Sequence, residues 1–248
     1  MYLLLSGEGK TDIGVCDPAH EQCEGDQFKV GAMAVIVDQL VELSQGFDFS
    51  HLDSERVCFV SENCLVNNKL KPIEKDKSLK ARGKKRPMET LYYFNNARVL
   101  ADLAKKKTVE IDDRVIAVLF RDSDGTASAG RGNWTTKRES MIRGFAAEEF
   151  EWGVPMIPKP KSEAWLLCAL KDNPYQHCIQ LEDVTGNDKG VEPLKEQLAE
   201  VLNRKDSVED INQMLRDKSI DIERIDMPSF VVFKEKLDSV VKNVMSKK

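Results

Sequence analysis

The run Val115-Ile-Ala-Val-Leu-Phe120, followed at once by Arg121-Asp122-Ser123-Asp124-Gly125, constrains this chain more than any other feature. Six successive apolar residues with no polar alternation describe a strand covered on both faces. Such a strand belongs in the middle of a parallel sheet with helices packed above and below. In sheets of that kind, ligands bind beyond the carboxyl ends of the strands. Two aspartates that begin where the strand stops are therefore placed for chemistry.

The rest of the chain supplies the other layers. Residues 2–6 form a short apolar run that ends in Gly7-Glu8-Gly9, and residues 56–60 form another. Both read as buried strands. Residues 153–157 are a weaker strand, suited to a sheet edge by Pro155. Between the strands, Met33, Ile36, Val37, Leu40 and Leu43 recur at helical spacing up to Gly46. Pro87 suits the start of a second helix reaching Lys106, and a third is expected over 134–150. Ser162 reads as the N-cap of a helix over Glu163 to Leu170. Residues 12–31, with Pro18, Gly25 and Gly31, read as an irregular insertion. Beyond residue 172 only helices are expected, at 191–202, 207–217 and 228–245. Strands separated by helices imply an α/β fold with a Rossmann-like parallel sheet. The expected division is a catalytic domain over 1–172, with insertions at 12–31 and 69–86, and a helical C-terminal extension over 173–248.

Composition excludes some classes. No apolar run in the 248 residues approaches the roughly 20 needed to span a bilayer, so no membrane partner is expected. The first residues lack the basic region of a signal peptide and read as a strand. The six cysteines stand at irregular spacings and are expected to be free thiols in a cytoplasmic protein. Cys16, His20 and Cys23 have ligand-like spacing, but no fourth ligand for a structural zinc site is nearby. The net charge of −5 argues against a generally basic nucleic-acid coat, yet residues 69–86 carry nine Lys or Arg and two acids. Such a stretch is either a solvated loop or a phosphate contact.

The acids suggest metal-assisted phosphate chemistry. Mg²⁺ prefers carboxylate oxygen and water, and one or two carboxylates with substrate phosphate hold it. Asp122 and Asp124 can aim at one ion from a tight turn, and Glu8, at the end of a separate strand, can ligate the same ion or stand as general base. Taken singly, each acid is also what a helix cap or an Asx turn uses. Glu163 in a first helical turn is favoured by the helix dipole with or without a catalytic part. The candidate phosphate contacts are Lys10, Lys80, Arg82, Lys84, Lys85, Arg86, Arg131, Lys159 and Lys161. Tyr93, and Trp134 beside Arg131 and Lys137, are candidate base-stacking groups, whereas Tyr92, Trp165, Leu166 and Leu167 read as core. Gly9-Lys10-Thr11 is not a P-loop, because that motif needs a glycine where Leu4 stands.

Ser6-Gly7-Glu8-Gly9-Lys10-Thr11-Asp12 resembles the Glu-Gly motif that opens Toprim domains, and Phe120-Arg121-Asp122-Ser123-Asp124-Gly125 resembles their Asp-X-Asp motif. Pro158-Lys-Pro-Lys-Ser-Glu163-Ala-Trp165-Leu-Leu is similar to a segment of small stand-alone Toprim-like proteins, many found in bacterial antiphage systems. The likeness covers roughly residues 1–170. It implies that Glu8 does acid–base work and that Asp122 and Asp124 bind Mg²⁺ or Mn²⁺. The activity it implies is hydrolysis of DNA or RNA phosphodiesters, with a protein partner where a defence system is involved. The alternatives are a primase-like nucleotidyltransferase or phosphotransferase on the same fold, and a non-catalytic binding or regulatory protein. The apolar faces of the C-terminal helices would permit a homodimer.

Overall fold

A computed structural model describes residues 1–72, 88–124, 132–188, 190, 192–202 and 208–247. Its centre is a five-stranded, mostly parallel sheet. Strand β1 (Tyr2–Gly7) lies between β5 (Val57–Ser61) and β6 (Val115–Phe120), and β7 (Gly153–Met156) forms the edge beyond β6. All three of these pairings are parallel, with Leu5 opposite both Phe59 and Val118. The other edge is β3 (Gln22–Glu24), antiparallel to β5, so the sheet is mixed. Pro155 does sit on an edge strand, where its missing N–H breaks no ladder.

Because successive strand residues point to opposite faces, β6 serves two cores. Ile116, Val118 and Phe120 join the core formed with α1 (Ala32–Gln45), α5 (Ser162–Leu170) and the C-terminal helices. Val115, Ala117 and Leu119 join the core formed with α2 (Glu62–Asn67), α3 (Met88–Ile111) and α4 (Trp134–Ala147). All six are buried, as the uninterrupted apolar run requires. Helices α6 (Leu194–Val201), α7 (Val208–Arg216) and α8 (Pro228–Ser246) share the first of these cores with α1 and α5. Trp165, Phe230 and Phe233 meet there as an aromatic cluster, and Trp165 Nε1 donates to Ser229 Oγ.

Two expectations are corrected. Residues 12–31 are not irregular: they hold a π-helical turn (Gly9–Ile13), β2 (Gly14–Cys16), β3 and β4 (Phe28–Val30), with β2 and β4 paired antiparallel. The cysteines are not all free. Cys16–Cys23 ties β2 to β3, and Cys168–Cys178 ties α5 to the 3₁₀ turn Cys178–Asp183. Only Cys58 and Cys64 remain as thiols, both buried. This removes the free-thiol argument for a reducing compartment, and Cys16 and Cys23 are not thiolates open to zinc. Among the described residues, no helix is long and apolar enough to cross a membrane.

Candidate acidic site

The site lies at the carboxyl ends of β1 and β6. Adjacent pairing aligns Gly7 with Phe120, so the residues that follow, Glu8 and Arg121-Asp122, emerge side by side. Glu8 Oε1 accepts from the Asp122 N–H at 3.2 Å, and Glu8 Oε2 pairs with Arg121 at 3.1 Å. Arg121 is itself fixed: its Nη1 donates to Glu62 Oε1 at 2.9 Å, and its guanidinium lies 4.3 Å from the Tyr92 ring centre. Tyr92 donates its hydroxyl to the same Glu62 carboxylate. Glu8 is thus held on both oxygens by groups rooted in rigid elements.

The Asp122-Ser123-Asp124 turn is fastened to the segment after β7. Ser123 N–H donates to the Pro158 carbonyl and Asp124 N–H to the Pro160 carbonyl. Lys137, nearly inaccessible on α4, donates its ammonium to the Ser123 carbonyl from beneath. Asp124 adopts a left-handed conformation, φ 52°, which aspartate tolerates better than most residues. A side chain at Gly186 would press on the Asp124 backbone, its Cβ 3.0 Å from the carbonyl carbon.

The start of α5 closes the other side. Asp122 Oδ1 accepts from the Ser162 N–H at 2.9 Å, and Ser162 Oγ donates to Asp12 Oδ1. Ser162 is therefore the first residue of α5 rather than its cap; Lys161 holds the cap position with no side-chain bond. Asp12, in the π-helical turn after Glu8, was not among the expected site residues. The turn requires Gly9 at φ 83°, where a Cβ would collide with the Asp12 carboxylate. An acid four residues after Glu8 inside a glycine-flanked turn was the available signal.

The charges of these groups act on one another. Burial chiefly raises the Asp122 pKa well above the usual carboxylate range, and the charges of Asp12, Glu163 and Glu8 add to it. Burial likewise pushes Glu8 up to about 7, with Arg121 opposing and Asp124 and Glu62 reinforcing. Asp12 and Glu163 are raised for the same first reason; Ser162 and the lysines Lys161 and Lys195 oppose the rise at Asp12. The Asp122, Glu8, Asp12 and Glu163 carboxyls thus share one acidic environment. Oxygen donors of this kind suit Mg²⁺ or Mn²⁺ and not a soft metal. Among the described residues, no three His, Cys, Asp or Glu side chains are drawn together tightly enough to ligate one ion. Hydrogen bonds from Ser162 occupy oxygens of Asp122 and Asp12 in their place.

The remaining expected contacts divide. Lys10 is exposed beside the site. Lys161 is mostly buried and pairs with Asp188 at 2.7 Å, and Lys159 lies 3.8 Å from Glu182. Lys80, Arg82, Lys84, Lys85, Arg86 and Arg131 lie outside the described residues. One stacking candidate is corrected. Tyr93 is buried and donates to the Asp122 carbonyl at 3.0 Å, while Tyr92 is the half-exposed one. Trp134 is half-exposed, with its Nε1 donating to the Ile157 carbonyl at 2.7 Å, whereas Lys137 beside it is buried rather than offered to phosphate.

Comparison with known proteins found no similar family model, curated protein or solved structure.

Proposed function

We propose that the chain is a Toprim-like, divalent-metal-dependent nuclease that hydrolyses DNA or RNA phosphodiesters. The observation supporting this most directly is the shared environment of Glu8, Asp12, Asp122 and Glu163, carboxyls brought together from three separate stretches of chain. Buried like charges need a positive complement. A doubly charged cation beside a phosphate provides one better than protons do. Asp122, Asp124, Asp12 and Glu163 are the carboxylates of which one or two, with substrate phosphate, would hold it. When bound, the ion offsets charge on the phosphoryl oxygens and favours the ionised form of an attacking water.

Glu8 has a different part. Arg121 and the Asp122 N–H fix its two oxygens, and its pKa near neutrality suits it to take a proton from the attacking water at Oε. Lys137 and the Pro158 and Pro160 carbonyls keep the aspartate turn in place. Lys10, exposed in the turn after Glu8, is the candidate contact to substrate phosphate on this reading. The resemblance alone suggests a place in antiphage defence.

The test is Asp122→Ala. Labelled DNA and RNA oligonucleotides are incubated with Mg²⁺ or Mn²⁺, with and without nucleotides, so that cutting is told from extension. The expected result is cleavage by the wild type and none by the variant, with unchanged circular dichroism. Full metal-dependent cleavage by Asp122→Ala would remove the proposal. Failure of the wild type to bind Mn²⁺ by calorimetry, with or without nucleic acid, would favour a non-catalytic binding protein instead.

A further inference from the structure

The opposite pole of the sheet carries a cavity away from the acidic site. It has a volume of about 330 Å³ and lies among the segment after α1, the starts of β5 and β6, and the end of α8. That volume is at the lower end of what small-molecule sites occupy. Two arginines are built into it by the sheet. Arg56 directly precedes β5 and Arg114 directly precedes β6, and β1 runs between them. The Leu3 and Tyr2 N–H groups bond to their carbonyls at 3.0 and 2.8 Å. Their backbones are thus anchored to the core, roughly 10 Å apart at two strand spacings.

The two cations are not equally satisfied. Arg56 pairs with Asp113, and that carboxylate also takes the Met1 ammonium. Arg114 has no carboxylate partner among the described residues; its Nη1 donates to the Val244 carbonyl at the end of α8. Positive charge therefore remains at the Arg114 side of the cavity.

The wall facing these charges is aromatic. Phe47 is 53% exposed and Met245 45% exposed, an apolar rim around the opening. Phe49 meets the His51 ring edge-on at 5.0 Å. His51 is only 1% exposed, yet its Nδ1 has no hydrogen-bond partner. The nearest carboxylate, Asp38, is 3.9 Å away, and its oxygens are taken by Ser50 Oγ and the His51 and Leu52 N–H groups. An unpaired polar atom in such a wall is costly to the fold.

We infer that this cavity is a binding site for a small aromatic anion, its charge on Arg114 and its ring against Phe47 and Phe49, with His51 in the wall beside it. The aromatic faces and exposed apolar rim suit a planar ring. The uncompensated guanidinium suits a carboxylate or phosphate. An aryl carboxylate and a mononucleotide both have this chemistry.

The experiment titrates the full chain, in chelator and without divalent metal, with 4-hydroxybenzoate in one arm and AMP in the other. Binding is followed by calorimetry and by the imidazole proton signals. The chain has three histidines, so His51 is readily told from His20 and His177. The expected result is saturable binding of at least one probe, with a dissociation constant of about 1 mM or tighter, and a shift confined to His51. Arg114→Gln should weaken it at least about tenfold. Met245→Glu, on the exposed rim and harmless to folding, should do the same by repelling the anion. The arm that binds tells carboxylate from nucleotide. Saturation by neither probe up to about 5 mM, or binding that both variants retain, overturns the inference.

Discussion

Replacing Glu8 by glutamine should make the metal-free protein more stable above neutral pH while removing its catalytic base. Glu8 is 27% exposed, buried enough for its shifted titration to count toward folding. A carboxyl moved from 4.5 to about 7 destabilises the fold by roughly 3 kcal/mol once ionised, at about 1.4 kcal/mol per pH unit. The sign follows from proton binding. The folded-state pKa lies above the unfolded one, so the native protein holds the extra proton between them. The penalty is absent below about pH 4.5, grows as pH rises, and is complete above about 7. Glutamine carries no such penalty, and its carbonyl still accepts from the Asp122 N–H. The ion pair with Arg121 that it gives up is already counted in that shift, where the guanidinium opposes the rise. The net gain is about 3 kcal/mol, or roughly 6–12 °C in melting temperature for a chain of this size. The assay is thermal unfolding in chelator from pH 4.5 to 8.5. The two proteins should melt together at the acid end and diverge with the variant higher above pH 7. Adding Mg²⁺ should stabilise the wild type and narrow the gap. Parallel melting curves across this range, or a variant less stable than the wild type at pH 8 without metal, would refute the reasoning.

Three further outcomes are expected. Asp12→Asn should keep the fold, since the amide oxygen still accepts from Ser162, but weaken Mn²⁺ binding by at least about tenfold; an unchanged calorimetric titration would detach Asp12 from the site. Lys137→Met removes the donor beneath the Ser123 carbonyl, so urea unfolding should show a loss of about 1–3 kcal/mol together with reduced cleavage, and a neutral variant would mean that the turn holds itself. Alkylation in denaturant without reductant should modify two of the six cysteines, Cys58 and Cys64. Opening Cys16–Cys23 and Cys168–Cys178, which close loops spanning separations of 7 and 10 residues, should lower stability by about 2–3 kcal/mol each, and six labelled thiols would contradict the pairing.

Much of the scaffold was readable because it depends on local pattern. The apolar run before Arg121 read as a central strand, and Pro155 marked an edge. The helix ending at Gly46 and the last helix, with Phe230, Phe233 and Leu237 inward, followed from a period of 3.6 residues. Strands β2, β3 and β4 escaped because three residues hold barely one alternation of a two-residue period. Tyr92 and Tyr93 exchanged roles because neighbours on a helix point about 100° apart, and pattern alone left the core direction of α3 uncertain by that much.

The acidic site divides along the same line. Placement of Glu8, Asp122 and Asp124 after strand ends is a property of the chain itself, since a strand must stop where its apolar residues stop. Periodicity carries no information on which strands become neighbours, on where α5 begins relative to them, or on which cysteines come within bonding reach. Those depend on how buried surfaces fit together across the whole molecule. The pairing of β1 with β6 decided that Glu8 would touch Asp122, the seating of α5 decided that Ser162 would join Asp122 to Asp12, and the packing of α4 decided that Lys137 would be buried under the turn. Such contacts span as many as 150 positions of sequence, and only the folded chain brings their partners together.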